Sequence, residues 1–186
     1  MDKLFGNLNL VLGLGFALAG VLMAVFHVDE ANASAILQWL HVFFGITWIG
    51  LLYYFNFVQI PTMPSVPAEL KPGVSKYIAP KALFYFRWGA ALTVLTGLIL
   101  AYVNGYSKEA LMFDEGFGLI GTGMWLALIM AFNVWFIIWP NQKKVLGMVE
   151  ADDAAKAAAA KSAMITSRIN TLLSIPMLYA MTAFRY

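Results

Sequence analysis

Cysteine is missing from all 186 residues, which excludes disulfides, thiolate metal sites, iron–sulfur clusters and covalently attached c-type haem. Charge is scarce as well. Asp, Glu, Lys and Arg make up 12% of the chain, about half of the roughly 25% usual in a soluble domain. The net charge of +2 gives no basis for binding nucleic acid. A cleavable signal pattern is also lacking. Asp2 offsets Lys3, and the apolar stretch behind them has full spanning length, so a retained first helix is expected. No nucleophile–base pair, carboxylate metal cluster or phosphate loop stands out. Gly13-Leu14-Gly15 and Gly116-Phe117-Gly118 follow no strand and are read as packing or turn glycines.

What remains is apolar surface. Hydrophobic residues form 61% of the chain, more than a soluble core of this size can hide, so an all-α polytopic membrane protein is expected. Residues 1–186 form one integral membrane domain, a bundle of five transmembrane helices. The spans fall at about 4–26, 35–60, 83–103, 117–139 and 169–184. The last is short: its 16 residues reach only about 24 Å at about 1.5 Å per residue. Before it, residues 143–167 hold an Ala-rich, amphipathic stretch, expected as a cytoplasmic helix.

Loop charge orients such a bundle. One side carries Lys3, Lys71, Lys76, Lys81, Lys143, Lys144, Lys156, Lys161 and Arg168, with Arg87 near its helix start, whereas the other carries Lys108 and Arg185. This asymmetry puts the N-terminus in the cytoplasm and the C-terminus in the periplasm of a bacterial inner membrane. Trp39, Trp88, Trp139, Tyr106 and Tyr186 lie near span ends, as an interfacial belt requires.

Spans two and three partly repeat in spans four and five. Phe55-Asn56 and Phe132-Asn133 precede a proline at the expected helix exit (Pro61, Pro140), and an arginine opens the following span (Arg87, Arg168). The repeat puts Asn56, Gln59, Arg87, Asn133, Gln142, Arg168 and Asn170 at one depth on the cytoplasmic side. Arginines there can grip an anion bidentately or snorkel to lipid headgroups, and asparagines can join helices by hydrogen bonds.

His41 lies inside a run free of Asp, Glu, Lys and Arg, residues 35–60. An ionisable group at that depth is costly and calls for a partner or a ligand. Gly45 and Trp48 share its helix face at i+4 and i+7. A histidine beside a glycine suits haem b, with imidazole as axial ligand to iron and Gly45 giving room for the ring. The same histidine suits a plain hydrogen bond to a neighbouring helix. His27, at the outer end of span one, is the other histidine, so a bis-histidine site is conceivable. Met23, Met124, Met177 and Met181 are further axial candidates or packing residues.

Several segments resemble the urate oxidase N-terminal family, the membrane domain of bacterial membrane-bound urate hydroxylases. They are Trp39-Leu40-His41, Gly45-Ile46-Thr47-Trp48-Ile49-Gly50, Phe55-Asn56-Phe57-Val58-Gln59, Phe86-Arg87-Trp88-Gly89-Ala90, Asn133, Trp139-Pro140-Asn141-Gln142-Lys143 and Ser167-Arg168-Ile169-Asn170-Thr171 through Ser174-Ile175-Pro176-Met177. The resemblance implies an inner-membrane protein tied to oxidation chemistry, with a periplasmic cytochrome c as electron acceptor. No CxxCH occurs, so that cytochrome would be a separate protein. A histidine that the family leads one to expect near the end of the last helix is replaced around Arg185. The chain is also similar to the small membrane protoporphyrinogen oxidases, in an early helix histidine followed by Trp at i+7. Phe57 stands where they would have a basic residue.

Three functions follow as expectations. The first is an accessory subunit of a larger respiratory, photosynthetic or oxygenase complex, held among membrane lipids. The second is a b-haem redox module that passes electrons to a separate cytochrome c, and the third a standalone urate-oxidising enzyme. A transporter using the polar cytoplasmic-side cluster is a further class.

Overall fold

The computed structural model describes residues 2–184, and everything described is helix, turn or connection. Arg185 and Tyr186, assigned above to the outer side and the aromatic belt, lie outside the described residues. Seven helices follow one another: α1 (Asp2–Phe5), α2 (Leu8–Phe26), α3 (Ala33–Ser65), α4 (Lys71–Val103), α5 (Ser107–Met112), α6 (Gly118–Val145) and α7 (Asp153–Ala183). Four of them, α2, α3, α4 and α6, are long and apolar enough to cross a membrane.

Local chemistry sets the ends. The Asn7 side chain accepts from the amides of Asn9 and Leu10, Asn32 from Ala35, and Asp152 from Ala155, each satisfying orphan donors of a first turn. At the end of α6, Gly147 takes φ +71°, its amide donates to Lys144 O and the Met148 amide to Lys143 O. That is a Schellman stop, in which glycine adopts the left-handed conformation without a Cβ penalty.

The prolines do not end the helices, as the sequence reading expects of Pro61 and Pro140. α3 continues to Ser65 and α6 to Val145, while α4 begins at Lys71, well before Pro80. Instead, a π-helical segment comes just before each of these prolines: Tyr54–Gln59, Val74–Ile78 and Asn133–Ile138. The amides of Ile60, Ala79 and Trp139 donate to Phe55 O, Val74 O and Val134 O, five residues back. A proline ring collides with the carbonyl four residues earlier. A widened turn relieves that collision and lets the helix continue.

The Ala-rich stretch is helical and runs into the last apolar segment, as expected, but its bounds differ. Residues 143–167 are not a separate helix: Lys143–Val145 close α6, a loop follows, and Asp153 starts one unbroken helix that runs to Ala183. Ala159, Ala163, Thr166, Ser167, Asn170, Ser174, Met177 and Ala180 are its buried residues, a single stripe at helical spacing. Small side chains, Ala159 and Ala163 among them, let α7 lie close against α6, while Ala154, Ala157, Ala158 and Ala160 stay exposed. The 16-residue span is therefore the second half of a 31-residue helix.

The core gathers Trp48, Leu52 and Phe55 of α3, Leu83 and Phe86 of α4, Met130 and Val134 of α6 and Met177 of α7. At the far end, Tyr106 stacks on Phe117, and the Phe184 ring lies tilted against both. α2 stands apart. None of its 19 residues is buried, and its ring contacts are those of Phe16 with Trp39 and Phe43, each at 5.4 Å.

Candidate functional site

His41, Gly45 and Trp48 form one stripe of α3, as their spacing requires, and that stripe lies on α4. A Cβ added at Gly97 would stand 2.7 Å from Cε1 of His41, and one at Gly89 would stand 3.2 Å from the Trp48 amide nitrogen. A Cβ on Gly45 would meet the Thr93 methyl at 3.8 Å. The two helices run antiparallel, with His41, Gly45 and Trp48 facing Gly97, Thr93 and Gly89. The α4 face is small throughout, and the α3 face sets one glycine between two large rings, which lets the backbones approach closely.

The imidazole faces protein. Its Nδ1 lies 2.9 Å from Thr93 O. A carbonyl can only accept, so Nδ1 carries the proton and Nε2 keeps its lone pair. Thr96 Oγ1 donates to Leu92 O at 2.7 Å and sits 3.5 Å from Nδ1. Among the described residues Nε2 takes no hydrogen bond. His27 does not join the site: its Nε2 lies 3.1 Å from the Glu30 carboxylate, at the exposed end of α2. Met124 and Met177 are buried in packing clusters, Met181 packs beside Gly123, and Met23 belongs to α2.

For a haem these residues fit in one respect and not in another. An imidazole whose Nδ1–H is held by a backbone carbonyl is oriented to coordinate through Nε2. The space beside Gly45, however, is taken by Thr93 of α4, so Gly45 serves helix packing and does not open room for a macrocycle. Trp48 is wholly buried, and its Nε1–H has no hydrogen-bond partner.

The polar cluster resolves into three separate contacts. Asn133 Nδ2 donates to Asn170 Oδ1 at 2.8 Å, and Asn170 Nδ2 donates to Met130 O at 2.9 Å. Asn56 Nδ2 donates to Leu52 O and to Ser167 Oγ, at 2.9 and 2.8 Å, while its Oδ1 is buried without a partner. The Arg87 guanidinium lies over the Trp139 ring at 3.4 Å, and Trp135 Nε1 donates to Arg87 O at 3.2 Å. Arg87 Nε and Nη1 are buried with no hydrogen-bond acceptor. Arg168 is exposed and joins none of these contacts. The two asparagines of the repeat thus both reach α7, and the arginines are not equivalent. What does recur is backbone: the π segments and their prolines (54/133, 59/138, 61/140) are spaced 79 residues apart.

Gln59 Oε1 is a further buried acceptor without a partner. It lines a cavity of about 210 Å³ between α3, α4, α6 and α7, together with Gln142 and Ser167. The sequence reading missed Thr93 and Gly97, and it gave no role to Ser167 or to Ser174, whose hydroxyl lies 3.0 Å from that of Tyr53. One signal was present for the first two: Gly89, Thr93 and Gly97 recur every four residues along one helix face. Among the described residues, no three His, Asp or Glu side chains gather as a metal site.

An all-helical bundle with apolar spanning helices, joined inside by amide and hydroxyl contacts, defines a membrane-protein class. Residues 110–186 match the family model described as urate oxidase N-terminal, which supports the likeness to that family over α5, α6 and α7. No curated protein and no solved structure matches the chain.

Proposed function

We propose that this chain is an accessory subunit of a larger redox complex in a bacterial inner membrane, anchored in that complex through α2. The observation that carries the reading is the state of α2. It is long and apolar enough to cross a bilayer, yet none of its residues is buried. Gly13, Ala17, Gly20 and Ala24 share one face of it, and nothing lies within 4 Å of a Cβ placed on either glycine. Lipid tails supply no hydrophobic force between helices, so close packing on small residues is what joins one helix to another. The family likeness over residues 110–186 supports a link to oxidation chemistry.

In this reading α7 makes a fifth crossing beside α6, giving a cytoplasmic N-terminus and a periplasmic C-terminus. A periplasmic cytochrome c is the natural electron acceptor of the assembly. Blue-native electrophoresis of mildly solubilised membranes tests the proposal. The chain should migrate with proteins well above its own 20.5 kDa, and migration solely as a free monomer argues against the subunit role.

A second reading, a haem b site at His41, is favoured by the Nδ1 contact to Thr93 O, which leaves Nε2 available. Haem would supply one-electron transfer, and His41 would hold its iron while Thr93 fixes the ring orientation. The purified protein should then show a Soret band that His41→Ala removes. A folded, colourless protein ends this reading.

A further inference from the structure

The cavity between α3, α4, α6 and α7 lies away from His41 and takes no part in the proposed docking of α2. Phe55, Phe86 and Met164 wall it, and Gln59, Gln142 and Ser167 bring polar groups to it. No charged side chain lines it, so an ion entering it would meet no counter-charge. Its volume of about 210 Å³ exceeds the roughly 150 Å³ of an apolar cavity that holds benzene. One substituted ring fits that volume, and a macrocycle does not.

Two features give the cavity a preference. Gln59 lines it, and Gln59 Oε1 is buried without a hydrogen-bond partner; an unmade hydrogen bond in a low-dielectric interior is costly. Ser167 Oγ accepts from Asn56 Nδ2, which leaves its own proton to donate. Two residues that line one apolar space therefore carry an unused acceptor and an unused donor. The π segments Tyr54–Gln59 and Asn133–Ile138 both contribute to the wall, through Phe55, Gln59 and Ile138. Such segments recur at functional sites because the extra residue re-aims side chains.

We propose that this cavity binds an uncharged single aromatic ring bearing a hydroxyl group, of the phenol or hydroquinone class. The ring occupies the space among Phe55, Phe86 and Met164. Its O–H donates to Gln59 Oε1, and its oxygen accepts from Ser167.

Methionine-methyl NMR of the full chain in detergent tests this with two probes, 4-methylphenol and toluene, which differ by the hydroxyl. Met63 and Met164 line the cavity, while Met112 and Met148 are exposed elsewhere and report partition into the micelle. The Met63 and Met164 signals should shift saturably with 4-methylphenol, at about one-tenth the concentration that toluene needs. Gln59→Leu should bring the two probes to equal strength. Ala160→Trp, a change at an exposed rim position, should weaken both while leaving the rest of the spectrum in place. Equal binding of both probes by the native protein would reduce the cavity to an apolar void and overturn the proposal. So would shifts no larger at Met164 than at Met112.

Discussion

The ring of His41 rests on the bare backbone of Gly97, and the same ring donates to Thr93 O one turn earlier on α4. Helix contact and hydrogen bond are thus one feature. Gly97→Ala puts a methyl group 2.7 Å from Cε1, and the two helices must part or the imidazole must swing away. Overpacking of this kind costs about 1–3 kcal/mol. The variant should lose thermal stability in detergent, and His41→Ala in the same background should restore part of it. Equal losses from each change, adding independently, would contradict the contact.

Asn170 is fully enclosed and ties Asn133 to Met130 O. Its replacement by Leu strands the Asn133 side-chain amide and removes one of the two donors to the Met130 carbonyl. Unmade buried hydrogen bonds cost about 1–3 kcal/mol, and interhelical ones in membrane proteins average about 0.6 kcal/mol. A double-mutant cycle of Asn133→Leu and Asn170→Leu should give a coupling within that span. Zero coupling would mean that the pair does not join α6 to α7.

Arg87 meets Trp139 face to face and has no acidic partner within salt-bridge distance among the described residues. A flat guanidinium matches an indole face better than an ammonium does. Arg87→Lys should therefore destabilise the bundle by about 0.5–2 kcal/mol and alter tryptophan fluorescence. Arg168→Lys, at an exposed position, should do neither.

Much of this architecture was legible in sequence because long charge-free runs report spanning helices directly. Spans two and four were found with nearly correct N-terminal ends, since Asn32 and the Gly116–Gly118 turn punctuate them. Their C-terminal ends were not. A proline reads as a stop, and nothing in the letters says that the preceding turn widens to carry the helix past it. The alanines of residues 153–163 announced a helix and nothing more: alanine favours helix in water and in close packing alike, so propensity alone assigns no environment. The inward direction of His41 was expected from its depth. Its partner was not, because that partner is a backbone carbonyl and the surface beneath it is a glycine, neither of which leaves a polar signature.

The absence of cysteine makes sidedness measurable. Single cysteines at Lys108 and Lys143 should react with an impermeant maleimide from opposite faces of sealed cells and vesicles, Lys108→Cys from the periplasmic face. Labelling of both from one face would contradict an odd number of crossings between the ends of α4 and α6.

The subunit reading depends most on α2, and its glycines allow a direct test. Gly13→Leu with Gly20→Leu adds bulk where nothing lies within 4 Å in the isolated chain, so monomer stability should stay as it is. In membranes, the doubly substituted chain should leave the large assembly and migrate alone on a blue-native gel, while the native chain remains within it. Retention of the substituted chain in the assembly at native abundance would contradict the account.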